Sequence, residues 1–114
     1  MVVAQKYKKP VVLEEFGFPR DGFRFSKSTS TEVRDEYYQY VFDLIRQDRE
    51  NGGLFAGCNF WAWGGFAEQN PEHIYWEKGD DYTGESGSGR AGAESVFATD
   101  TTVEIIKTEN AKLK

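Results

Sequence analysis

Val11-Val12-Leu13-Glu14-Glu15-Phe16-Gly17-Phe18 decides how this chain is read, because an apolar run entered from Pro10 ends on two carboxylates just before a glycine turn. Val11, Val12 and Leu13 are too few for a helix, and a run apolar on both faces is what a parallel strand covered on two sides requires. Glu14 and Glu15 then stand at the strand's carboxyl end. Loops at that end carry the chemistry of α/β architectures, and two adjacent carboxylates there have no evident structural use. The competing reading is that both are simply solvated where the strand exits.

Working outward, Thr29 and Glu32 fit a capping box. Beyond them Val33, Tyr37, Tyr40, Val41, Leu44 and Ile45 recur at intervals of three and four. Arg34, Asp35, Glu36, Asp43, Arg46 and Gln47 fill the other face. The pattern predicts an amphipathic helix that stops at Asn51-Gly52-Gly53. A second apolar run, Leu54 to Trp63, follows at once and closes on Gly64-Gly65. Strand, helix and strand with short connections make a βαβ unit with parallel strands and a right-handed crossover. Alternation puts Phe55, Gly57, Asn59, Trp61 and Trp63 on one side, and Leu54, Ala56, Cys58, Phe60 and Ala62 on the other. A polar Asn59 in line with two tryptophans marks the first set as the site side, although Trp61 and Trp63 would equally serve to plug a core. From Phe66 to Asp100 the chain is polar and irregular, and loops of that length are usually functional or disordered. Thr101 or Thr102 then caps a closing helix with Val103, Ile105 and Ile106 apolar and a lysine-rich end suited to a helix carboxyl terminus.

With 114 residues the chain suits one small domain or a piece of one, whereas a complete (β/α)8 barrel takes about 250. Fourteen Lys and Arg against 19 Asp and Glu leave a net charge of −5, and no basic run occurs, which argues against nucleic acid and anionic membranes as partners. No apolar stretch approaches the ~18 residues of a membrane span, and Met1-Val-Val-Ala-Gln-Lys lacks the apolar segment of a signal peptide. A soluble chain without an export address is the expectation. The single cysteine, Cys58, excludes an internal disulfide and is expected to be a buried, inert thiol. Aromatic residues make up 16% of the chain, and those in loops would suit sugar rings, whose C–H faces stack on aromatic side chains.

Other motifs fail on context. Gly87-Ser88-Gly89-Arg90-Ala91-Gly92 matches GxGxxG, but no apolar strand precedes it and no amphipathic helix opens on it. Asp80-Asp81 lacks the acidic spacing and closing glutamate of a calcium loop. His73 is the only histidine, so a histidine-rich metal site is excluded and a Ser-His-Asp triad lacks its nucleophile motif. It is expected to be a loop residue, or one lining a cleft. No metal and no cofactor is expected.

Three segments together carry a resemblance: Lys9 to Gly17; Gly57 to Gly65 with Phe60-Trp61-Ala62-Trp63; and Gly79-Asp80-Asp81-Tyr82-Thr83-Gly84 ahead of Ser95-Val96-Phe97 and Asp100-Thr101-Thr102. They resemble glycoside hydrolase family 5, most closely its endo-β-1,4-mannanases. The resemblance runs nearly end to end and corresponds to the last quarter of that family's barrel. It implies an α/β fold in which residues 1–114 are a single partial domain, a parallel βαβα segment forming the last two strand-helix units of a TIM (β/α)8 barrel. By that resemblance Glu15, directly before the aromatic-glycine pair, is the nucleophile, and Glu14 is its non-catalytic neighbour. Trp61 floors the sugar site and Trp63 extends that wall. The implied chemistry is retaining hydrolysis of a mannan-type polysaccharide or oligosaccharide, with the acid/base glutamate on an earlier strand outside this chain. Glu14 is not expected to replace it, since neighbouring strand residues point to opposite faces. Glu68, Glu72, Asp80 and Asp81 lie on loops over the same mouth with nothing to fix them. The parent enzyme is expected to be extracellular or periplasmic, and the segment alone inactive. A non-catalytic carbohydrate-binding module and a self-associating structural fragment are the rival readings. Unpaired strand edges and a barrel-facing row of Phe55, Trp61 and Trp63 imply association with itself or with the rest of the barrel.

Overall fold

β1 (Val11–Phe16) and β2 (Phe55–Phe60) pair with each other in parallel and are joined by a single long helix, α2 (Glu32–Glu50). A short helix, α1 (Val2–Tyr7), precedes them; β3 (Trp63–Gly65), β4 (Val96–Phe97) and a closing helix, α3 (Thr102–Lys112), follow. This computed structural model describes residues 2–85 and 90–114, so the GxGxxG match at Gly87 lies partly outside the described residues. The βαβ unit and closing helix are those expected from the sequence. The additional parallel pair β3–β4, aligned Trp63 to Val96 and Gly65 to Phe97, is not, because strands of three and two residues carry no periodicity.

The β1–β2 ladder contains two register shifts. Val11 pairs with Phe55 but Val12 with Gly57, leaving Ala56 extra on β2; Leu13 pairs with Cys58 but Phe16 with Phe60, so Glu14 and Glu15 together oppose Asn59. Such bulges interrupt the two-residue alternation. On β2, Phe55 therefore packs on the core with Cys58 and Phe60 rather than joining Asn59, Trp61 and Trp63 on the site side. On β1, Glu14 and Glu15 are both exposed, and the core side resumes at Phe16. The two glutamates therefore lie in a stretch where simple alternation is interrupted.

Phe16, Tyr38, Val41, Ile45 and Val96 form the core, flanked by Leu13, Tyr37 and the inner residues of α3. Phe16 stacks at a tilt on Tyr38 with centroids 4.8 Å apart, and meets Tyr37 edge-on at 5.9 Å. α2 is rotated from the face its periodicity suggests: it buries Arg34, Tyr38, Val41, Phe42 and Ile45, and exposes Val33, Tyr40 and Leu44. Arg34 sets the rotation. Its guanidinium donates to the carbonyls of Phe18 (2.8 Å), Ser95 (2.9 Å) and Ala93 (3.2 Å), and a charge so placed cannot be turned to solvent without orphaning three acceptors. Beside it Arg20 Nη2 donates to both carboxylate oxygens of Asp100, at 2.8 and 2.7 Å, and its Nη1 donates to the Thr29 carbonyl at 2.7 Å.

The N-terminus of α2 is capped from a distance. No Thr29–Glu32 box forms; the helix starts at Glu32, and the Asp21 carboxylate accepts the backbone N–H groups of Glu32 and Val33 at 3.1 Å each. Asp21 sits on a 3-10 turn, Asp21–Phe23, folded back across the helix entry. The predicted stop holds: Gly52 adopts φ 76, and Gly53 N–H reaches the Asp48 carbonyl at 2.7 Å. Thr101 precedes α3 without a side-chain cap; the hydroxyls of Thr101 and Thr102 donate instead to Asp35 of α2, tying the two helices together.

Candidate active site

The two long strands deliver their carboxyl ends to one place. Trp61 N–H donates to the Phe16 carbonyl at 2.7 Å, extending the β1–β2 ladder one step past the end of β2. Gly17 then passes so close that a Cβ there would lie 2.6 Å from the Trp61 carbonyl oxygen and 2.9 Å from a carboxylate oxygen of Glu94. Only glycine permits that approach. The geometry explains Glu-Phe-Gly as a unit: Phe16 anchors the strand in the core, Gly17 lets the neighbouring strand end close in, and Glu15 is left at the rim, in a bulge of the kind that re-aims side chains beside functional sites.

Trp61 and Trp63 are 41% and 53% exposed, with buried Ala62 between them. Neither ring is buried in this chain. Val96 N–H donates to the Ala62 carbonyl at 2.8 Å, so the β3–β4 pairing fixes the backbone that carries both rings. Glu15, Trp61 and Trp63 thus share one end of the sheet, with Asn59 exposed opposite the Glu14–Glu15 bulge.

Of the loop carboxylates, three are already engaged. Glu68 pairs with Lys27 at 2.7 Å, Asp81 accepts the Glu68 N–H at 2.9 Å, and Asp80 is held by Asn70 and His73 at 3.0 and 2.8 Å. His73 is a loop residue whose second nitrogen faces Glu77 at 3.3 Å. Hydrogen bonding to Asp80 raises the His73 pKa above its ordinary value, and bonds from Asn70 and His73 lower that of Asp80. Cys58 is half-buried, and burial pushes its thiol up, so it is not a poised nucleophile. Among the described residues no group of three His, Cys, Asp or Glu is arranged to hold a metal ion.

Two carboxylates that the sequence reading passed over stand closer to the strand ends. Glu94 lies against Gly17. Glu85 is only 7% exposed and accepts the Glu94 N–H with both oxygens at 3.1 Å. Burial raises its pKa, the neighbouring Glu94 charge adds to the effect, and hydrogen bonds from Glu94 N–H and Ser95 oppose it. Nothing local marks them: Glu85 borders a glycine-serine tract and Glu94 sits in a turn, and only the β3–β4 pairing carries that segment to Trp61.

Comparison with known proteins gives the family and the fold. A family model described as GH family 5 beta-mannosidase-like matches residues 1–114. The Arabidopsis thaliana protein named "Putative mannan endo-1,4-beta-mannosidase P" is 29% identical over 108 residues, which are 93% of this chain and 21% of that protein. Crystal structures of the glycoside hydrolase family 5 mannosidase from Rhizomucor miehei, one of them a point mutant in complex with mannosyl-fructose, superpose with a TM-score of 0.83 at 37% identity. They cover 96% of this chain and 28% of theirs, so the chain spans about a quarter of the length of these relatives and is a partial barrel.

Proposed function

The chain belongs to the β-mannosidase-like proteins of glycoside hydrolase family 5, and from that premise we propose that it is the part of a retaining β-1,4-mannan-type glycosidase barrel that carries the nucleophile and the sugar-stacking wall. The observation that carries this reading is the close approach at Gly17, which sets the strand end bearing Glu15 against the backbone of Trp61. Glu15 attacks the anomeric carbon. Trp61 and Trp63 offer indole faces to the C–H faces of the sugars on either side of the scissile bond. A retaining mechanism needs a second carboxyl group about 5–5.5 Å from the first, protonating the leaving oxygen and later activating water. Glu68, Asp80 and Asp81 are committed to loop contacts, and Glu85 is buried among its own donors, so the reading assigns the acid/base to a strand beyond these 114 residues. The substrate is a manno-oligosaccharide or polysaccharide, and activity needs the assembled barrel.

The test is a pair of isosteric variants in the complete barrel. Glu15→Gln is expected to abolish turnover while largely preserving binding, because shape survives and the nucleophilic charge does not. Glu14→Gln, one residue away in the same bulge, is expected to retain turnover. An inactive Glu14→Gln beside an active Glu15→Gln reverses the assignment. In a reducing-sugar assay on soluble mannan, the 114-residue chain alone should show no sustained turnover.

A further inference from the structure

We propose that Glu94 is a further substrate contact, its carboxylate accepting hydrogen bonds from hydroxyls of the sugar ring seated against Trp61. The inference rests on the reading of this strand end as a sugar site, and adds to it the polar group that an aromatic wall lacks. Contact fixes its position: the space a Gly17 Cβ would fill lies 2.9 Å from a Glu94 carboxylate oxygen and 2.6 Å from the Trp61 carbonyl oxygen. Glu94 therefore reaches the seam where the strand bearing Glu15 meets the backbone bearing Trp61. Gly17, two residues after Glu15, makes the room for it. The Glu94 backbone is held on both sides, because the buried Arg34 guanidinium donates to the flanking carbonyls, Ala93 at 3.2 Å and Ser95 at 2.9 Å. Its own N–H donates to both oxygens of the buried Glu85 at 3.1 Å. The Ser95 hydroxyl, donating to the Thr83 carbonyl at 2.5 Å, ties down the next residue.

The carboxylate is the exception. Glu94 enters the hydrogen-bond network only through its N–H, and among the described residues no donor bonds its side chain, although the residue is partly buried. The Trp61 carbonyl beside it is also an acceptor and cannot satisfy it. Glu68, Asp80, Asp81 and Glu85 differ in that each carboxylate already has a donor within the chain. A side chain whose backbone is anchored by a buried guanidinium, and whose oxygens are left open, is preorganised for a donor from outside. An ionised carboxylate only accepts, and its two oxygens suit a pair of adjacent ring hydroxyls. The exposed Trp61 indole takes the C–H face of the same ring. An apolar platform discriminates weakly between sugars of similar shape, whereas a site built to bond a hydroxyl rejects a ligand that lacks it. Glu94 thus supplies the discrimination that the tryptophans do not.

The experiment is calorimetric titration of the complete barrel carrying Glu15→Gln, which binds without turnover, with methyl β-mannobioside. Adding Glu94→Ala is expected to weaken binding about tenfold to a hundredfold, as losing hydrogen bonds to a charged acceptor does. Glu94→Gln, which keeps the shape and one acceptor oxygen, should recover part of that loss. Ligands deoxygenated at one ring hydroxyl at a time separate a contact from a structural role. At the hydroxyl that Glu94 accepts from, the deoxy ligand should bind about tenfold more weakly than the parent sugar when Glu94 is present, and equally well when it is alanine. In the barrel with Glu15 intact, Glu94→Gln should raise KM with kcat little changed, since the contact is made in ground and transition states alike. A collapse of kcat at unchanged KM would make Glu94 part of the chemistry, and deoxy losses identical with and without Glu94 would leave it no hydroxyl; either result overturns the proposal. A Glu15→Gln barrel that binds no manno-oligosaccharide removes the sugar-site reading itself. One that binds it undiminished in Glu94→Ala removes the Glu94 contact alone.

Discussion

A single missing methyl group at Gly17 decides whether the two strand ends meet. With the Trp61 carbonyl 2.6 Å from the position a Cβ would take, Gly17→Ala must push β1 and the Trp61 backbone apart. The expected cost is about 1–3 kcal/mol in urea denaturation, as for other overpacked sites, with a larger fall in turnover of the complete barrel than stability alone explains. The opposite hazard sits at Asp100. It accepts two bonds from Arg20, receives the Phe97 N–H at 2.8 Å and lies 3.5 Å from Arg34, while the two arginines are 1% and 0% exposed. Asp100→Ala leaves two buried cations facing each other and is expected to cost about 3–5 kcal/mol. Adding Arg20→Met should restore part of that loss in a double-mutant cycle; full additivity would show that the pair is not coupled.

Individual elements were legible to the extent that their reasons are local. The periodicity of residues 33–45 and the Asn-Gly-Gly stop are properties of a short stretch, and α2 begins and ends within three residues of where they place it. Its cap and its buried face are not local. The cap is Asp21, eleven residues before Glu32, and the face is turned by Arg34, whose acceptors are 16 to 61 residues away. Asp21→Ala should lower the denaturation midpoint with an unchanged m value, whereas Asp21→Asn, an equally good capping residue, should stay close to the original. The loop from Asn70 to Asp80 gives a pH prediction. His73 has a raised pKa, so its contribution is complete below the unfolded value near 6.5 and is lost as pH rises through the higher folded value. Asp80 has a lowered pKa, so its contribution is present above 3.8 and is lost as pH falls through the lower folded value. The exchange protection of the Glu77 amide, whose N–H donates to Asp80 at 3.0 Å, taken relative to its intrinsic rate, should therefore be greatest at mildly acidic pH and fall on the alkaline side. In His73→Asn that alkaline fall in protection should vanish.

As a whole the molecule is elongated, 50 × 24 × 23 Å, with a radius of gyration of 16.0 Å, whereas a closed globule of about 100 residues has about 13 Å. Its apolar surface follows from that shape. Val2, Val3 and Tyr7 of α1 are exposed, as are Val33, Tyr40 and Leu44 along α2 and Val12 on β1. In a closed barrel neighbouring strands and helices would cover such positions. Light scattering over a concentration series is expected to show growing mass for the 114-residue chain, suppressed by adding the complementary barrel segment. A monomer that stays compact and melts cooperatively at high concentration would mean that these faces need no cover.

By itself the sequence determined the parallel βαβα order, the glutamate pair at a strand end, the two tryptophans at the end of the second apolar run and the family, because each depends on residue type and short spacing. Only the tertiary structure decided that Glu14 and Glu15 share an exposed bulge, that Phe55 belongs to the core, and that Glu85 and Glu94 come to lie beside Trp61 and Gly17. The physical reason is one of range. Apolar periodicity is set by water and the geometry of a single element, whereas a bulge, a remote cap or a buried carboxylate exists only once a second element supplies the partner that satisfies it.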